Sequence, residues 1–255
     1  ADPDINTVAI LTRHDLHAGQ VVAALQAGKN VFVEKPLCLS KDDLRQIVSV
    51  YDSLHADGEA LQQRPPALLV GYNRRFAPFV QELKEVLRSA VKEPLLLTCR
   101  VDAGYIPASH WTQDPGQGGR LLGEGCHFVD LLIFLAGSTP VRVTSRALPD
   151  QGRYSMDNLV VSLEFENGSL GTVVYAANGS RGLGKEYLEV FGGGLSARID
   201  DYRTLEIQGG SRRLKRTARL RRDKGHRAEW QAFIAHLRGE GPPPISFEDI
   251  VCSTR

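Results

Sequence analysis

The feature that most constrains the fold is an alternation of short apolar runs with a helix-like segment near the start of the chain. TVAILT (7–12) is a continuous apolar run of strand length, HAGQVVAALQAG (17–28) has a helical pattern closed by glycine, and NVFVEKP (30–36) is a second apolar run. Continuous apolar runs are typical of strands that are buried on both faces. The alternation therefore predicts a βαβ unit within a parallel sheet.

A second helix and a third strand extend this unit. SKDDLRQIVSVYDSLHADG (40–58) predicts a helix with Ser40 as its N-cap, and PALLVGYNRRF (66–76) predicts the third strand. After residue 91 the chain changes to longer β segments joined by short turns, such as LEFENGSLGTV (163–173) with its turn at Asn-Gly. The predicted fold class is α/β plus α+β: a partial Rossmann-like, doubly wound parallel sheet in residues 1–91, then a mainly antiparallel sheet domain with covering helices in 92–255.

Composition excludes several classes of protein. Lys and Arg total 31 against 30 acids, so the net charge of +1 predicts no global attraction to nucleic acid or to anionic membranes. No apolar run approaches the roughly 18 residues of a membrane helix, and the first residues lack the layout of a secretory signal. The four cysteines are widely spaced, which favours reduced thiols. We predict a cytoplasmic protein with no membrane partner.

The sequence lacks the glycine-rich turn that holds a dinucleotide pyrophosphate. Such sheets carry a G-x-G-x-x-G turn between their first strand and first helix. The nearest run here is FGGGL (191–195), which lies between β segments and predicts a hairpin or a bulge.

Four segments together resemble a known family of enzymes. They are TVAILTRHDLH (7–17), AALQAGKNVFVEKPL (23–37), GYNRRFAP (71–78) and GGRLLGEGCHFVD (118–130). Their order and spacing resemble the glucose-fructose oxidoreductase / inositol dehydrogenase (Gfo/Idh/MocA) family. GEGCHFVD, YAANGS and DKGHRAE further resemble the subgroup whose oxidoreductase region is fused behind a zinc-alcohol-dehydrogenase-like domain.

The resemblance implies an NAD(P)-dependent oxidoreductase of a sugar or sugar-derived alcohol, with NAD or NADP as cofactor. Residues 1–91 would be the C-terminal half of a dinucleotide-binding domain and 92–255 the substrate-binding domain, with the last helix cut short at CSTR. We therefore expect a fragment that lacks the phosphate-binding loop and is inactive without the rest of its parent. The resemblance also implies homo-oligomers that pair through the sheet of the second domain.

Lys35 is a candidate catalytic residue because it ends a predicted parallel strand, at the edge where doubly wound sheets bind ligands. An ammonium group fixed there by the following Pro36 can stabilise negative charge on a substrate oxygen. Spacing alone favours a solvated lysine at a strand end, and the resemblance reverses that preference.

His127 is the candidate proton acceptor. It stands three residues after Glu124 and three before Asp130, so on a helix the three form one polar stripe. Histidine can take a hydroxyl proton near neutral pH, although capping by local acids also explains a histidine at a helix start. The resemblance implies that His127 is the base and that Glu124 orients His127 or the substrate. The family more often has aspartate at position 124.

Further contacts are implied by the same resemblance. Thr12 would lie near the nicotinamide with Glu34 beside it. The full predicted cofactor-binding set is Thr12, Arg13, His17, Glu34, Lys35 and Pro36. His14 and His17 have an H-x-x-H spacing but no third ligand, so we predict no metal site.

Asn73, Arg75 and Trp111 are predicted to contact the substrate together with His127. The amide and the guanidinium can bind sugar hydroxyls, and the indole can stack on a sugar ring. Filling an interface between the domains explains Trp111 equally well.

The segment SRRLKRTARLRR (211–222) supports a rival hypothesis, because it has seven basic residues and no acid. It predicts either an edge strand protected by charge or a surface that binds an anionic saccharide or, less favoured, nucleic acid. The alternative function is therefore a non-catalytic binding module for one of these ligands.

Overall fold

The chain folds around two hydrophobic cores, each built on one β-sheet. In the computed structural model, the described residues are 2–60, 64–149, 152–154, 156–180, 182–210, 212–218 and 220–255. Ser211 and Arg219 of the basic segment lie outside them.

The first sheet has three parallel strands in the order β1-β2-β3: β1 (Thr7–Ile10), β2 (Asn30–Val33) and β3 (Leu68–Val70). Helices α1 (His14–Gln26) and α2 (Lys41–Ala60) connect them. The residues of β2 from position 31 onward are fully buried, as a central strand between helical layers requires. The predicted βαβ unit and Rossmann-like sheet are confirmed.

The predicted N-cap of α2 is confirmed as well. The amide of Asp43 donates to Oγ of Ser40 at 3.0 Å, and the same hydroxyl donates to the Asp43 carboxylate at 2.7 Å. These bonds satisfy one of the free amides at the start of the helix.

The third strand is shorter than predicted. β3 ends at Val70, and Asn73–Phe76 forms a 3₁₀ turn that leads into α3 (Pro78–Ala90). The polar side chains of this turn bond to groups in other elements, which replaces strand pairing. The residues expected to end the strand therefore lie just beyond it.

The second sheet has eight strands in the order β11-β10-β9-β8-β4-β7-β6-β5. They are β4 (Leu96–Asp102), β5 (Pro140–Ala147), β6 (Asn158–Phe165), β7 (Leu170–Ala176), β8 (Glu186–Gly192), β9 (Leu195–Asp200), β10 (Thr204–Gly209) and β11 (Arg212–Thr217). Helix α4 (Cys126–Ala136) packs on this sheet. All pairs are antiparallel except β4 with β7, which confirms a mainly antiparallel domain.

The glycine turns of this sheet have the predicted positions. Gly168 joins β6 to β7 with a φ of 84°, and Gly193 and Gly194 join β8 to β9 with φ of 56° and 71°. Positive φ favours glycine at such turns. FGGGL is thus a hairpin, as predicted.

The last two helices return to the first core. Helix α5 (His226–Leu237) buries Phe233 there, and α6 (Phe247–Thr254) buries Ile250. The ring of Trp230 stacks on Phe32 of β2 with 4.1 Å between centroids. Helices α5 and α6 thus pack on the first core, whereas the boundary predicted at residue 91 assigned them to the second domain.

The basic segment 211–222 contains β11, which lies at the edge of the second sheet. Acidic partners face several of its cations: Lys215 lies 2.8 Å from Glu206, and Arg216 lies 3.1 Å from Glu82. The prediction of an edge strand is therefore confirmed.

Within the part of the chain that the structure describes, no helix has both the length and the apolar composition needed to cross a bilayer.

A buried ion pair joins the two cores. Arg75 in the 3₁₀ turn donates to both oxygens of Asp130 on α4, at 2.5 and 3.0 Å, and also to Asp249 on α6 at 2.9 Å. Ser253 donates to Asp130 at 3.1 Å. Asp130 is fully buried and Arg75 nearly so. Because every element that meets here contributes a bond, the cluster fixes the domains relative to each other.

We expect Asp130→Asn to lower the free energy of unfolding by about 3 kcal/mol or more, because it leaves the buried Arg75 without its main counter-charge. Urea denaturation measures this value. Glu85→Gln removes an exposed ion pair with Arg88 and should cost less than about 0.5 kcal/mol. Equal costs for the two variants would contradict the assignment.

Candidate functional site

The candidate site lies where the carboxyl end of β2 meets the segment before α4. Lys35 follows β2, and its ammonium donates to the carbonyl oxygen of Gly123 at 2.5 Å. The segment Leu121–Gly125 forms a π-helical turn that leads directly into α4. π turns of this kind are frequent at functional sites. Lys35 therefore links the first domain to the turn that precedes His127.

Gly123 allows this close approach. A β-carbon at position 123 would lie 2.8 Å from Cε1 of His14. Any larger residue would push His14 and the start of α1 away from the turn. Glycine at position 123 is thus required by the contact between the domains.

His127 lies beneath the turn in a buried position. Among the described residues, Nδ1 of its imidazole has no hydrogen-bond partner. Its ring meets Tyr72 edge-on, with 6.4 Å between centroids. Burial, followed by the charges of Arg74 and Lys35, holds the pKa of His127 well below its ordinary value of 6.5. The imidazole is therefore neutral at neutral pH and able to accept a proton.

Glu124, which was predicted to orient His127 or the substrate, bonds to groups of the second domain. Its carboxylate accepts hydrogen bonds from Tyr175 and Lys185 and lies 3.6 Å from Arg120. Burial acts to raise the pKa of Glu124, but Lys185, Tyr175 and Arg120 together lower it below its usual value. The predicted polar stripe divides because the π turn rotates Glu124 toward the second sheet, while Asp130 faces Arg75.

A second ion cluster stands behind His127. Arg74 donates to both oxygens of Glu186 on β8, at 3.0 and 3.4 Å, and Lys224 also pairs with Glu186. Burial opposes ionisation of this carboxyl, yet Arg74 and Lys224 lower its pKa to about 2. Glu186 and Lys224 were missed as site residues, although DKGHRAE in the sequence marked the segment that contains Lys224.

The predicted cofactor contacts divide into exposed and buried groups. Thr12 is exposed, and its hydroxyl donates to Gln20 at 2.7 Å. Glu34 is half-buried against Gly71, where a β-carbon would lie 3.2 Å from its carboxylate. Thr12 and Glu34 therefore stay close to the free carboxyl edge of the sheet.

His17 differs from its predicted role as a cofactor contact. It is fully buried, and its two ring nitrogens lie 2.7 Å from the carbonyl oxygen of Pro36 and 3.2 Å from that of Thr12. Both ring nitrogens thus face carbonyl groups of the protein, and the nitrogen that carries the proton donates to one of them. His17 and the buried Pro36 fix the two loops that carry Thr12 and Lys35.

His14 and Trp111 contact each other across the boundary between the two domains. The amide of His14 donates to the side-chain oxygen of Gln117 at 3.0 Å, and its Nδ1 lies 2.9 Å from the Gln117 carbonyl. Trp111 meets the His14 ring at 4.9 Å and the guanidinium of Arg13 at 4.4 Å. Trp111 thus contacts the first domain while 37% of it stays exposed, so stacking on a sugar ring remains a prediction beside its contact at the interface.

Asn73 and Arg75 are not open to a substrate. Asn73 is buried and donates to the carbonyl of Lys224 at 2.6 Å, and Arg75 is held by Asp130 and Asp249. Their polar groups are occupied by the protein because the 3₁₀ turn directs them into the domain junction.

Glu229 on α5 is a buried carboxyl that sequence reasoning did not identify. It is 2% exposed, and its Oε1 lacks a hydrogen-bond partner among the described residues. Burial and the nearby charges of Glu34 and Asp130 raise its pKa to about 8, against the opposing effect of Arg74 and Arg75. This carboxyl therefore carries a proton at neutral pH.

The described residues contain no group of three or more His, Cys, Asp or Glu side chains arranged to hold a metal ion. All four cysteines are unpaired, and burial raises the pKa of Cys38 and of Cys126 to about 12. Neither thiol is poised for nucleophilic chemistry at neutral pH.

Two family models match the chain. The model for the oxidoreductase family, NAD-binding Rossmann fold, matches residues 1–58, and the model for the GFO/IDH/MocA C-terminal domain matches residues 80–197. Both belong to one family, and together they cover most of the chain.

Relatives and solved structures agree with these matches. The chain is 28% identical to myo-inositol 2-dehydrogenase of Thermotoga maritima over 97% of this chain and 74% of that protein. It is 26% identical to the uncharacterized oxidoreductase YrbE of Bacillus subtilis over 81% of this chain, and the match spans only 59% of that protein. An oxidoreductase from Agrobacterium radiobacter, in complex with NAD+, L-tartaric acid and magnesium, shares the fold with a TM-score of 0.79, at 20% identity over 99% of this chain and 76% of that one.

We expect Glu229→Gln to change the pH dependence of stability. The folded state holds the Glu229 proton up to pH of about 8, whereas the unfolded chain releases it near 4.5. The wild type therefore loses stability as pH rises between these values, and the amide variant does not share this loss. Relative to the wild type, the variant should gain about 2 kcal/mol or more between about pH 5 and 8.

Urea denaturation at several pH values measures this difference. Glu85→Gln, at an exposed glutamate, is the matched control and should show a constant difference. A constant difference for Glu229→Gln as well would mean that the Glu229 carboxyl is ionised in the folded protein.

Proposed function

Because this chain belongs to the GFO/IDH/MocA family of oxidoreductases, we propose that it is part of an NAD(P)-dependent dehydrogenase of a sugar or sugar-derived alcohol. One observation carries the proposal: Lys35 lies at the carboxyl edge of the parallel sheet and bonds to Gly123 in the turn that precedes the buried His127. A cation that stabilises oxygen and a base that is free of its proton are the two groups that alcohol oxidation requires.

The residues fit the nicotinamide end of a dinucleotide. Thr12 and Glu34 stay near the free carboxyl edge of β1 and β2, and Nδ1 of His127 lacks a partner that a substrate hydroxyl would supply. Arg13, engaged with Trp111, would border the same edge. When bound, NAD+ or NADP+ accepts the hydride from the alcohol carbon.

The side chains have separate roles in the proposed reaction. The ammonium of Lys35 uses one proton toward Gly123 and has two left to donate to the substrate oxygen. The hydroxyl proton passes to the imidazole of His127 during oxidation and returns from it during reduction. Glu124 positions Lys185 and Tyr175 in the wall of the substrate pocket.

The pyrophosphate would be held by residues outside this sequence. We propose that the active protein is longer, with a phosphate-binding half-sheet next to β1, whose outer edge has no paired strand among the described residues. GEGCHFVD, YAANGS and DKGHRAE support a fused zinc-alcohol-dehydrogenase-like domain ahead of it. The intact mass of the protein isolated from cells tests both parts of this proposal. A mass near 28.0 kDa would overturn them.

We propose that the protein pairs through the outer face of the second sheet. Large apolar side chains are exposed on it, including the cross-strand neighbours Leu96, Leu170 and Phe191 at 49%, 49% and 39%. Exposed apolar patches on a sheet face favour association with another copy. Sedimentation velocity of Leu170→Lys against the wild type tests this. A wild type that sediments as a monomer, or a variant that pairs as well as the wild type, would contradict it.

The alternative, a binding module for an anionic saccharide or nucleic acid, has less support. Arg216, Lys215 and Arg222 already have carboxylate partners at 3.1, 2.8 and 2.6 Å. Polyanion binding that weakens steeply with salt would favour this alternative.

We expect Lys35→Met and His127→Gln in the full-length protein to lower kcat/KM by about 100-fold to 1000-fold each, because they remove oxyanion stabilisation and the base. NAD(P)H formation during sugar alcohol oxidation measures the rate. The wild-type rate should fall only at a pH well below 6.5, where His127 gains a proton, and His127→Gln should lack that acid limb.

Lys41→Met, at an exposed lysine outside the site, is the matched control and should retain wild-type activity. An acid limb that persists in His127→Gln would exclude His127 as the base.

A further inference from the structure

A cavity of about 720 Å³ is lined in part by Lys185, the ion-pair partner of Glu124. It lies between the end of β4, the loop 182–185 and the turn 200–203 that joins β9 to β10. Its volume lies within the range of small-molecule binding sites. Neither the proposed hydride transfer nor the ion clusters behind His127 use this space.

Two buried carboxylates line the cavity and retain bonding capacity. Asp102 and Asp201 are 8% and 4% exposed, and Oδ1 of each has no hydrogen-bond partner among the described residues. Buried polar groups without partners are rare, so these two oxygens show that hydrogen-bonding capacity is unused next to the cavity. Asp201 also has a φ of 47°, an uncommon conformation for a residue with a side chain.

Cationic donors border the same cavity. Arg222 lies 2.6 Å from the Oδ2 atom of Asp201, and Arg203 reaches the same atom only at 3.7 Å and is 67% exposed. Lys185 borders the cavity while pairing with Glu124. The cavity therefore offers acceptors and donors side by side.

The balance of charge selects among ligand classes. Three carboxylates, including that of Asp200, face three cations, so neither a phosphate nor an ammonium ion meets a field of one sign. A hydroxyl group both donates to a carboxylate and accepts from a lysine or arginine. Leu183, which is 67% exposed, adds an apolar surface for the carbon face of a ring. This combination favours a neutral, polyhydroxylated ring.

We propose that this cavity is a subsite for a second sugar ring, so that the substrate is a disaccharide or another glycoside. The inference rests on the proposed function only in placing the reacting ring beside Lys35 and His127. Contacts connect the two places: Lys35 bonds to Gly123, and the adjacent Glu124 pairs with Lys185 at the cavity. The first ring would lie beside Lys35 and the second ring in the cavity that Lys185 borders.

Binding of defined probes to the wild-type chain tests the proposal without requiring turnover. Isothermal titration compares cellobiose, maltose and trehalose with glucose, and with glucose 6-phosphate as an anionic probe. At least one disaccharide should bind about tenfold more tightly than glucose, as expected from a few added hydrogen bonds to charged groups. Asp200→Asn and Arg203→Gln should each remove most of that gain and leave the affinity for glucose unchanged.

Arg142→Gln removes an exposed arginine on β5, far from the cavity, and should leave both affinities unchanged. Equal affinity for glucose and all three disaccharides would overturn the proposal, as would tighter binding of glucose 6-phosphate that depends on Arg203. Disaccharide binding that depends on Asp200 would support the subsite even if the full-length protein failed to oxidise any sugar.

Discussion

The buried pair of Arg75 and Asp130 is the constraint on which the rest of the structure depends. Its charges are costly to bury, and they are tolerated only because Asp249 and Ser253 complete the bonding. These four residues come from the 3₁₀ turn, α4 and α6, so both cores must meet correctly before any of the charges is satisfied. That meeting brings Lys35 to the turn that precedes His127. The same contacts therefore determine both the stability of the domain junction and the geometry of the site.

The electrostatics of the site follow from the same junction. Arg74 and Lys224 are neutralised by Glu186, yet they stand near enough to oppose a proton on His127, together with burial and Lys35. The unprotonated imidazole of His127 thus lies among cations. The carboxyl group of Glu229 on α5, by contrast, carries a proton. Burial, reinforced by neighbouring charges, shifts the pKa values of these two groups in opposite directions, which is a common signature of functional sites.

Sequence patterns were sufficient to predict the helices and strands and the sheet edge at which the site forms. Periodicity and strand polarity are local properties, so they can be read from short stretches of sequence. Ser40, the Asn167-Gly168 turn and the position of Lys35 all follow from such patterns. The hydrogen-bond and ion-pair partners of the site side chains were not predictable from the sequence. Glu124 turned toward Lys185 because a π turn changed its direction, and Arg75 and Asn73 were used inside the protein. His17 likewise directs both ring nitrogens toward carbonyl groups, a role that only the tertiary structure reveals.

The return of α5 and α6 to the first sheet has a consequence for biosynthesis. The ribosome releases β1, β2 and β3 early, but Phe233 and Ile250, which complete their core, are the last part of this sequence to be made. The eight-stranded sheet in the middle of the chain has all its strands earlier and can form first, whereas the parallel sheet must wait with apolar surface uncovered. Until then, this incomplete core is the part of the nascent chain most exposed to aggregation and to chaperones.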